Sequence, residues 1–351
     1  MNLDNLKDIE KYDKEDMARL LADFPDQCSR AIEIALQSSL PSYKKIDKIL
    51  VCGMGGSGIG GEILKSVIEP ELRIPLVVNK NYSLPEFVDS KTLVSFVSYS
   101  GNTEETLSAY REAAKKKAKM VAITTGGRLG RLAKRDKVPI ISIPPGLPPR
   151  ASLGYLFFSL LITLERLGLV KSKKRECQET LRLLKDLRKE FSLSSKVSSN
   201  QAKRIALKLH KNLPLIYTSP TLSPVGLRWK GQLSENSKVL AFSNTFPELN
   251  HNEIVGWRCL PGILKRCYLI ILRDKYDSPR IKKRIEITSK IIRGKACGLD
   301  FLYSRGKSLL ARLFSLIYLG DWVSYYLAIL NRIDPTPVEA IDYLKKELAK
   351  T

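Results

Sequence analysis

Three hydroxyl side chains, Ser98, Ser100 and Thr103, stand close together in Ser98-Tyr-Ser-Gly-Asn-Thr103, just after an apolar run and just before a helix-like stretch. A helix N-terminus leaves backbone N–H groups without intrahelical partners, and the helix dipole adds partial positive charge there. Hydroxyls at such a point can hold a dianion such as a phosphate ester. A single Ser or Thr would be an ordinary helix cap. Three of them, preceded in the chain by a second phosphate-suited loop, favour an anion cup. That earlier loop is Gly53-Met-Gly-Gly-Ser-Gly58, where a short apolar run ends in glycines that let a ligand approach the backbone. Gly56 and Ser57 are its candidate phosphate contacts. The loop alone also permits a dinucleotide, but the place where a ribose-binding carboxylate would end the next strand reads Val77-Val-Asn-Lys80. The loop itself does not end in the Gly-Lys-Ser/Thr of a P-loop.

Proton transfer near pH 7 calls for an imidazole or a positioned carboxylate. The chain has two histidines. His251 stands in Glu248-Leu-Asn-His-Asn-Glu253, whereas His210 lies in a basic amphipathic stretch and reads as a surface residue. Glu235, beside Asn236, could be a solvated carboxylate at a helix end. Arg150, after Pro148-Pro149, could cap a loop. Lys345 and Lys346 lie where a C-terminal helix favours cations.

The elements that must position these groups follow from periodicity. Residues 4–40 alternate charged and apolar positions at helical spacing up to Pro41. Strands are expected at 49–52, 75–79, 92–98, 120–124 and 138–143, with helix-like stretches between them, including Glu104 to Lys117. Leu153 to Leu167 reads as a buried helix and 171–200 as surface helices. The pattern then restarts with a strand at 213–218, a helix at 225–233, strands at 238–242 and 268–272, a long apolar helix at 308–330 and, after Asp334-Pro-Thr-Pro337, a short helix. Such βαβ alternation predicts an α/β chain with two doubly wound, mainly parallel sheets. The division is expected at 1–165, with a leading helical segment and the phosphate loops, and 166–351.

A length of 351 residues accommodates two cores, and 44% hydrophobic with 27% charged residues is an ordinary globular balance. The apolar stretches 153–164 and 313–319 fall short of the ~20 residues that span a bilayer. Met1 to Arg19 is charged and lacks the apolar core of a secretory leader. A cytoplasmic protein without a membrane partner is the expectation. Six cysteines without a Cys-x-x-Cys pair read as reduced thiols, and no metal site is expected. The net charge of +23 is dispersed in short groups such as Lys115 to Lys117 and Lys282 to Arg284. It reads as solvated helix faces that help attract an anionic substrate, and a nucleic-acid partner is not expected.

Gly55-Gly-Ser-Gly58, Ser98-x-Ser-Gly-Asn-Thr103, Thr124-Thr-Gly-Gly127 and Pro149-Arg150 together resemble the sugar-isomerase (SIS) domain series, specifically the bifunctional phosphoglucose/phosphomannose isomerases. Arg228-Trp-Lys-Gly-Gln-Leu-Ser-Glu-Asn-Ser-Lys238, Phe246-Pro-Glu-Leu-Asn-His-Asn-Glu-Ile254 and Asp334-Pro-Thr-Pro337 to Tyr343-Leu-Lys345 extend the resemblance in order along almost the whole chain. The resemblance implies a hexose 6-phosphate substrate, isomerised through a cis-enediol(ate) without a cofactor. It implies that Glu235 moves the proton between C1 and C2, that Arg150 stabilises the developing oxyanion, and that His251 opens the ring, assisted by Lys345 or its neighbour Lys346. It further implies that Thr336 leaves room at C2 for mannose 6-phosphate, and a homodimer whose partner subunit supplies the histidine at an interface site. Two other classes compete. A non-catalytic phosphosugar sensor would have no use for the Glu235 and His251 motifs. A nucleotide-dependent oxidoreductase lacks the ribose carboxylate. Within the isomerase class, an amino sugar phosphate or another ketose phosphate is an alternative substrate.

Overall fold

The computed structural model describes residues 1–348 and 350. In chain order the elements are α1 (Leu6–Glu10), α2 (Met17–Ala22), α3 (Phe24–Gln37), β1 (Lys48–Cys52), α4 (Gly55–Ile68), β2 (Leu76–Asn79), β3 (Thr92–Val97), α5 (Glu104–Lys115), β4 (Lys119–Thr124), α6 (Gly127–Arg135), β5 (Ile140–Ser142), α7 (Leu153–Arg166) and α8 (Lys174–Phe191). They continue with α9 (Gln201–Leu209), β6 (Leu213–Thr218), α10 (Ser223–Glu235), β7 (Phe242–Thr245), α11 (Pro261–Leu264), β8 (Cys267–Arg273), α12 (Pro279–Ile292), β9 (Gly298–Tyr303), α13 (Leu309–Leu330) and α14 (Glu339–Leu348).

Two all-parallel sheets result, ordered β2-β1-β3-β4-β5 and β7-β6-β8-β9. The second repeats the order of the first and stops one strand short. Strands β1, β3 and β4 are buried along nearly their whole length, so they read as continuous apolar runs rather than alternating ones. In both sheets the chain reverses its direction of travel between the first-formed strand and its later neighbour. In such folds the crevice at the carboxyl ends of those two strands is where ligands bind.

The chain forms two compact units. One comprises Met1–Ala22, Asp186–Ser304 and Leu316–Thr351; the other comprises Asp23–Lys185 and Arg305–Ser315. Each sheet lies in one unit, on either side of residues 165/166, but the compact units depart from the 1–165 and 166–351 division. The crossing falls inside α8, and residues 1–22 go with the second sheet. Asp4 pairs with the fully buried ammonium of Lys203 at 3.1 Å, the Asp13 carboxylate accepts from the Tyr325 hydroxyl at 2.9 Å, and Tyr318 donates to the Leu21 carbonyl at 2.9 Å. These contacts, made far along the chain, outweigh sequence proximity.

Two sequence expectations are corrected locally. The helical run at 4–40 is broken into three helices: Asp13 caps α2 through Met17 N at 2.7 Å and Ala18 N at 3.0 Å while Asp16 takes a left-handed φ of 56°, and α3 starts anew with Pro25, which has no N–H to continue the preceding helix, in its first turn. The strand expected at 238–242 is instead β7 at 242–245, because Lys238 takes a left-handed φ of 54° in the turn that ends α10. Helix α13, expected at 308–330, is the one helix among the described residues long and apolar enough to cross a membrane, and its apolar stretch is buried inside the protein.

Candidate active site

The first-sheet unit carries the loops at 53–58 and 98–103. Ser98 follows β3, and its Oγ lies 2.9 Å from Thr103 Oγ1 and accepts from Gly101 N at 3.1 Å. Ser100 Oγ accepts from Asn102 N at 3.2 Å. Thr103 occupies the cap position of α5, yet its hydroxyl caps no N–H of that helix. It turns to Ser98 instead, which is not what an ordinary N-cap does. Ser98 is buried, Thr103 half-buried and Ser100 exposed. Gly101 has φ +66°, and a Cβ there would meet Gly126 O at 2.0 Å, so the loop admits only glycine. Asn102 Oδ1 accepts from Arg128 N at 3.0 Å, fastening the 124–128 segment to the cup.

The glycine loop closes on the same place. A Cβ on Gly53 would lie 2.9 Å from Val97 O, and one on Gly56 would lie 2.8 Å from Pro149 O and 3.3 Å from Arg150 Cα. The backbone of the loop therefore runs between the end of β3 and the 3-10 turn Pro149–Ala151. Ser57 is buried in the first turn of α4 and Arg150 is 3% exposed. The arginine's turn is braced by Gln27 Nε2 donating to Ala151 O at 2.9 Å and by Ser152 Oγ donating to Pro149 O at 2.7 Å. Tyr99, between two of the cup hydroxyls, donates to Pro144 O and accepts from Leu147 N, both at 2.9 Å. Burial pushes its phenol pKa upward, so it stays neutral and can serve both partners. The turns that carry Gly56 and Ser57, Ser98 to Thr103, and Arg150 thus adjoin one another.

Glu235, His251, Thr336 and Lys345 belong to the second-sheet unit. Glu235 is the last residue of α10, half-buried, and α10 is fixed to α13 at several points. Arg228 Nε and Nη2 donate to the two Asp321 oxygens at 2.9 and 2.7 Å, and Gln232 Nε2 donates to Asp321 Oδ1 at 3.0 Å. Trp229 Nε1 donates to Leu316 O at 2.8 Å, Asn236 Nδ2 to Ser324 Oγ at 2.9 Å and Ser237 Oγ to Ser324 O at 2.6 Å. His210 pairs through Nδ1 with Asn331 Oδ1 at 3.1 Å, and Asn331 Nδ2 donates to Ser237 O at 3.1 Å, so His210 supports this helix end.

Thr336 is buried in the loop between α13 and α14, where its N–H donates to Asp334 Oδ1 at 2.9 Å. The Lys238 ammonium joins that loop to the end of α10. His251 closes a short 3-10 turn, with its side chain exposed and its N–H on Glu248 O at 2.9 Å. Lys345 is exposed in the last turn of α14, a helix with no buried residue. Sequence reasoning missed Asp321, although a lone carboxylate in the apolar run Leu309–Leu330 signals a buried partner. It also missed the bridging by Lys238, which no local pattern announces.

Residues 42–144 match the SIS domain family, and residues 198–348 match the family described as the bacterial phospho-glucose isomerase C-terminal SIS domain. A bifunctional phosphoglucose/phosphomannose isomerase of Caldicellulosiruptor bescii is 48% identical over 93% of this chain and 97% of that protein. One from Thermoplasma volcanium is 41% identical over 87% and 92%. A D-glucosamine-6-phosphate 4-epimerase of Sulfolobus acidocaldarius is 32% identical over 84% and 87%. Among solved structures, a hypothetical protein from Thermus thermophilus superposes with a TM-score of 0.75 at 16% identity, covering 94% of this chain and 89% of that one. That likeness concerns the fold.

Proposed function

The chain belongs to the bifunctional phosphoglucose/phosphomannose isomerase family, and from that premise we propose how its own residues interconvert glucose 6-phosphate and mannose 6-phosphate with fructose 6-phosphate. The 6-phosphate is held by Ser98, Ser100 and Thr103 with the loop at Gly56 and Ser57. His251, assisted by Lys345, moves the proton that opens the ring. Glu235 takes the proton from C2 of the open aldose and returns it to C1, and the reverse path runs the same way. The charge that accumulates on the enediolate oxygen is met by the guanidinium of Arg150. Thr336, with a small side chain beside C2, accepts either epimer.

The observation that carries this reading is the Ser98–Thr103 pair. A cap residue that leaves its own helix uncapped and shares its hydroxyl with a buried serine supports a phosphate cup. The reading includes a homodimer in which His251 reaches the partner's site. Its support is the exposure of Val255, Leu260 and Ile263 near His251 and of Ile341, Tyr343 and Leu344 on α14. It also includes action in the cytoplasm, without a metal.

The test is turnover of both aldose phosphates to fructose 6-phosphate in the presence of EDTA, with glucosamine 6-phosphate run in parallel. Conversion of both aldoses supports the reading. Conversion of glucosamine 6-phosphate alone would move the chain toward the epimerase relative. Mixing inactive Glu235→Gln and His251→Ala subunits should regenerate activity if each site draws on two copies, and a mixture that stays inactive argues against the shared histidine.

A further inference from the structure

Lys238 ends the motif Arg228 to Lys238, and its side chain does something that helix termination does not require. Its Nζ donates to Glu235 O at 2.8 Å and Asn236 O at 3.4 Å, both at the end of α10. The same ammonium donates to Pro335 O at 3.1 Å and Asp334 O at 3.2 Å, in the loop that carries Thr336. Three N–H protons are shared among four carbonyls, two from each segment.

The backbone of Lys238 has a common explanation. Its left-handed φ and the bond from Val239 N to Leu233 O at 3.2 Å close α10 in the way a glycine usually does. Lys117, Lys137, Lys211 and Arg332 take the same left-handed backbone just beyond α5, α6, α9 and α13. Among the described residues, none of those four side chains bridges two segments as Lys238 does. The ammonium bridge is thus separable from the turn that bears it. Because Lys238 is exposed, its hydrogen bonds compete with water and contribute little to stability. What they fix is register. The backbone at Glu235 and the loop at Thr336, 101 positions apart in the chain, are held to one cation. Pro335 and Pro337 fix two of the loop's φ angles, and the ammonium adds a restraint from outside the loop.

We propose that Lys238 is a positioning residue that sets the proton-shuttling carboxylate of Glu235 and the small side chain of Thr336 in one register, and so governs both the rate of the proton transfer and the choice between C2 epimers. The inference rests on the roles proposed above for Glu235 and Thr336. Its chemical logic is that reactions of this kind lose about a hundredfold when a reacting group is displaced by ~1 Å, while phosphate binding in a separate cup is unaffected.

The experiment compares Lys238→Met, Lys238→Arg and Lys117→Met with the wild type, measuring kcat and KM on glucose 6-phosphate and mannose 6-phosphate well below each melting temperature. Lys238→Met should lower kcat about tenfold or more on both aldoses, change KM less than about threefold, and shift the ratio of the two kcat/KM values about threefold or more. Lys238→Arg, which can still donate to several carbonyls, should recover most of kcat, and Lys117→Met should match the wild type. Lys238→Met with kcat and epimer ratio within about twofold of the wild type overturns the inference, as does a loss equal to that of Lys117→Met. Glu235→Gln is run alongside. If it is inactive while Lys238→Met is normal, only the positioning role fails; if it turns over normally, the role of Glu235 fails and the inference with it.

Discussion

The buried ion pair between Arg228 and Asp321 is one of the contacts that fix α10 to α13. Their side chains are 3% and 2% exposed, and the contact is bidentate at 2.9 and 2.7 Å. Asp321→Ala leaves the guanidinium buried without its carboxylate, which costs about 3–5 kcal/mol. Gln232 Nε2 loses its acceptor as well, adding about 1 kcal/mol. The sum, roughly 4–6 kcal/mol, approaches the whole stability of a domain, which is about 5–15 kcal/mol. The variant should therefore unfold at far lower urea, followed by far-UV circular dichroism and by the fluorescence of the buried Trp229 and Trp322. Replacing both partners, Arg228→Met with Asp321→Leu, removes both charges together and should recover most of the loss, because an apolar pair of similar volume is often no less stable than a buried ion pair. Since α10 ends at Glu235, the double variant should fold yet turn over more slowly. The reasoning is refuted if Asp321→Ala costs less than about 1.5 kcal/mol, or if the double variant loses the sum of the two single losses.

Other expectations follow from the cup and the N-terminal clasp. Ser98→Ala and Thr103→Val each remove a hydroxyl from a charged ligand, worth about 1.5–3 kcal/mol, so KM for either aldose phosphate should rise roughly tenfold or more with kcat little changed. A fall in kcat at constant KM would speak against phosphate binding. Gly101→Ala forces a side chain into a left-handed position and against Gly126 O, so it should cost more than about 2 kcal/mol in a thermal melt. A melting temperature equal to the wild type would refute the tight approach of those loops. Burial pushes the Asp13 carboxyl above its ordinary 3.8 despite bonds from Met17 N, Ala18 N and the Tyr325 hydroxyl. The folded protein then holds that proton more tightly than the unfolded chain. The residue contributes most below the unfolded value, and that contribution declines as pH rises through the raised folded value. Compared with Asp13→Asn in denaturant melts, the wild type should gain stability on acidification; a relative loss would contradict the sign.

The first sheet was legible because its central strands are buried on both faces and each is followed by a loop rich in glycine or hydroxyls. Strand β7, Phe242-Ser-Asn-Thr245, is a half-exposed edge strand with little apolar content, and a left-handed Lys238 displaces its start, so the reading at 238–242 came too early. The break between the first two N-terminal helices is set locally by Asp13 and left-handed Asp16, but the bond Asp13 also accepts from the Tyr325 hydroxyl, more than three hundred positions away, has no local sign. Lys203, a lysine in an amphipathic helix, gave no sign of being buried, because its partner Asp4 lies near the other end of the chain. Within the candidate site, residues set by local turns were readable from spacing: the hydroxyls of 98–103 and the glycines of 53–58. Arg228 stands in the motif that ends at Lys238, but its purpose emerges only with Asp321, and the bridging by Lys238 only with Asp334 and Pro335. Groups that chain-distant partners position are invisible to a reading that proceeds along the chain.

The most direct test of the central claim, that Glu235 carries the proton between C1 and C2, is isomerisation of fructose 6-phosphate in deuterated water by wild type and Glu235→Gln with EDTA present. The wild type should incorporate deuterium at the carbon that receives the proton and form both aldose phosphates, while Glu235→Gln should lose both exchange and turnover by roughly a hundredfold or more with phosphate binding intact. Exchange and turnover in Glu235→Gln close to those of the wild type would contradict it.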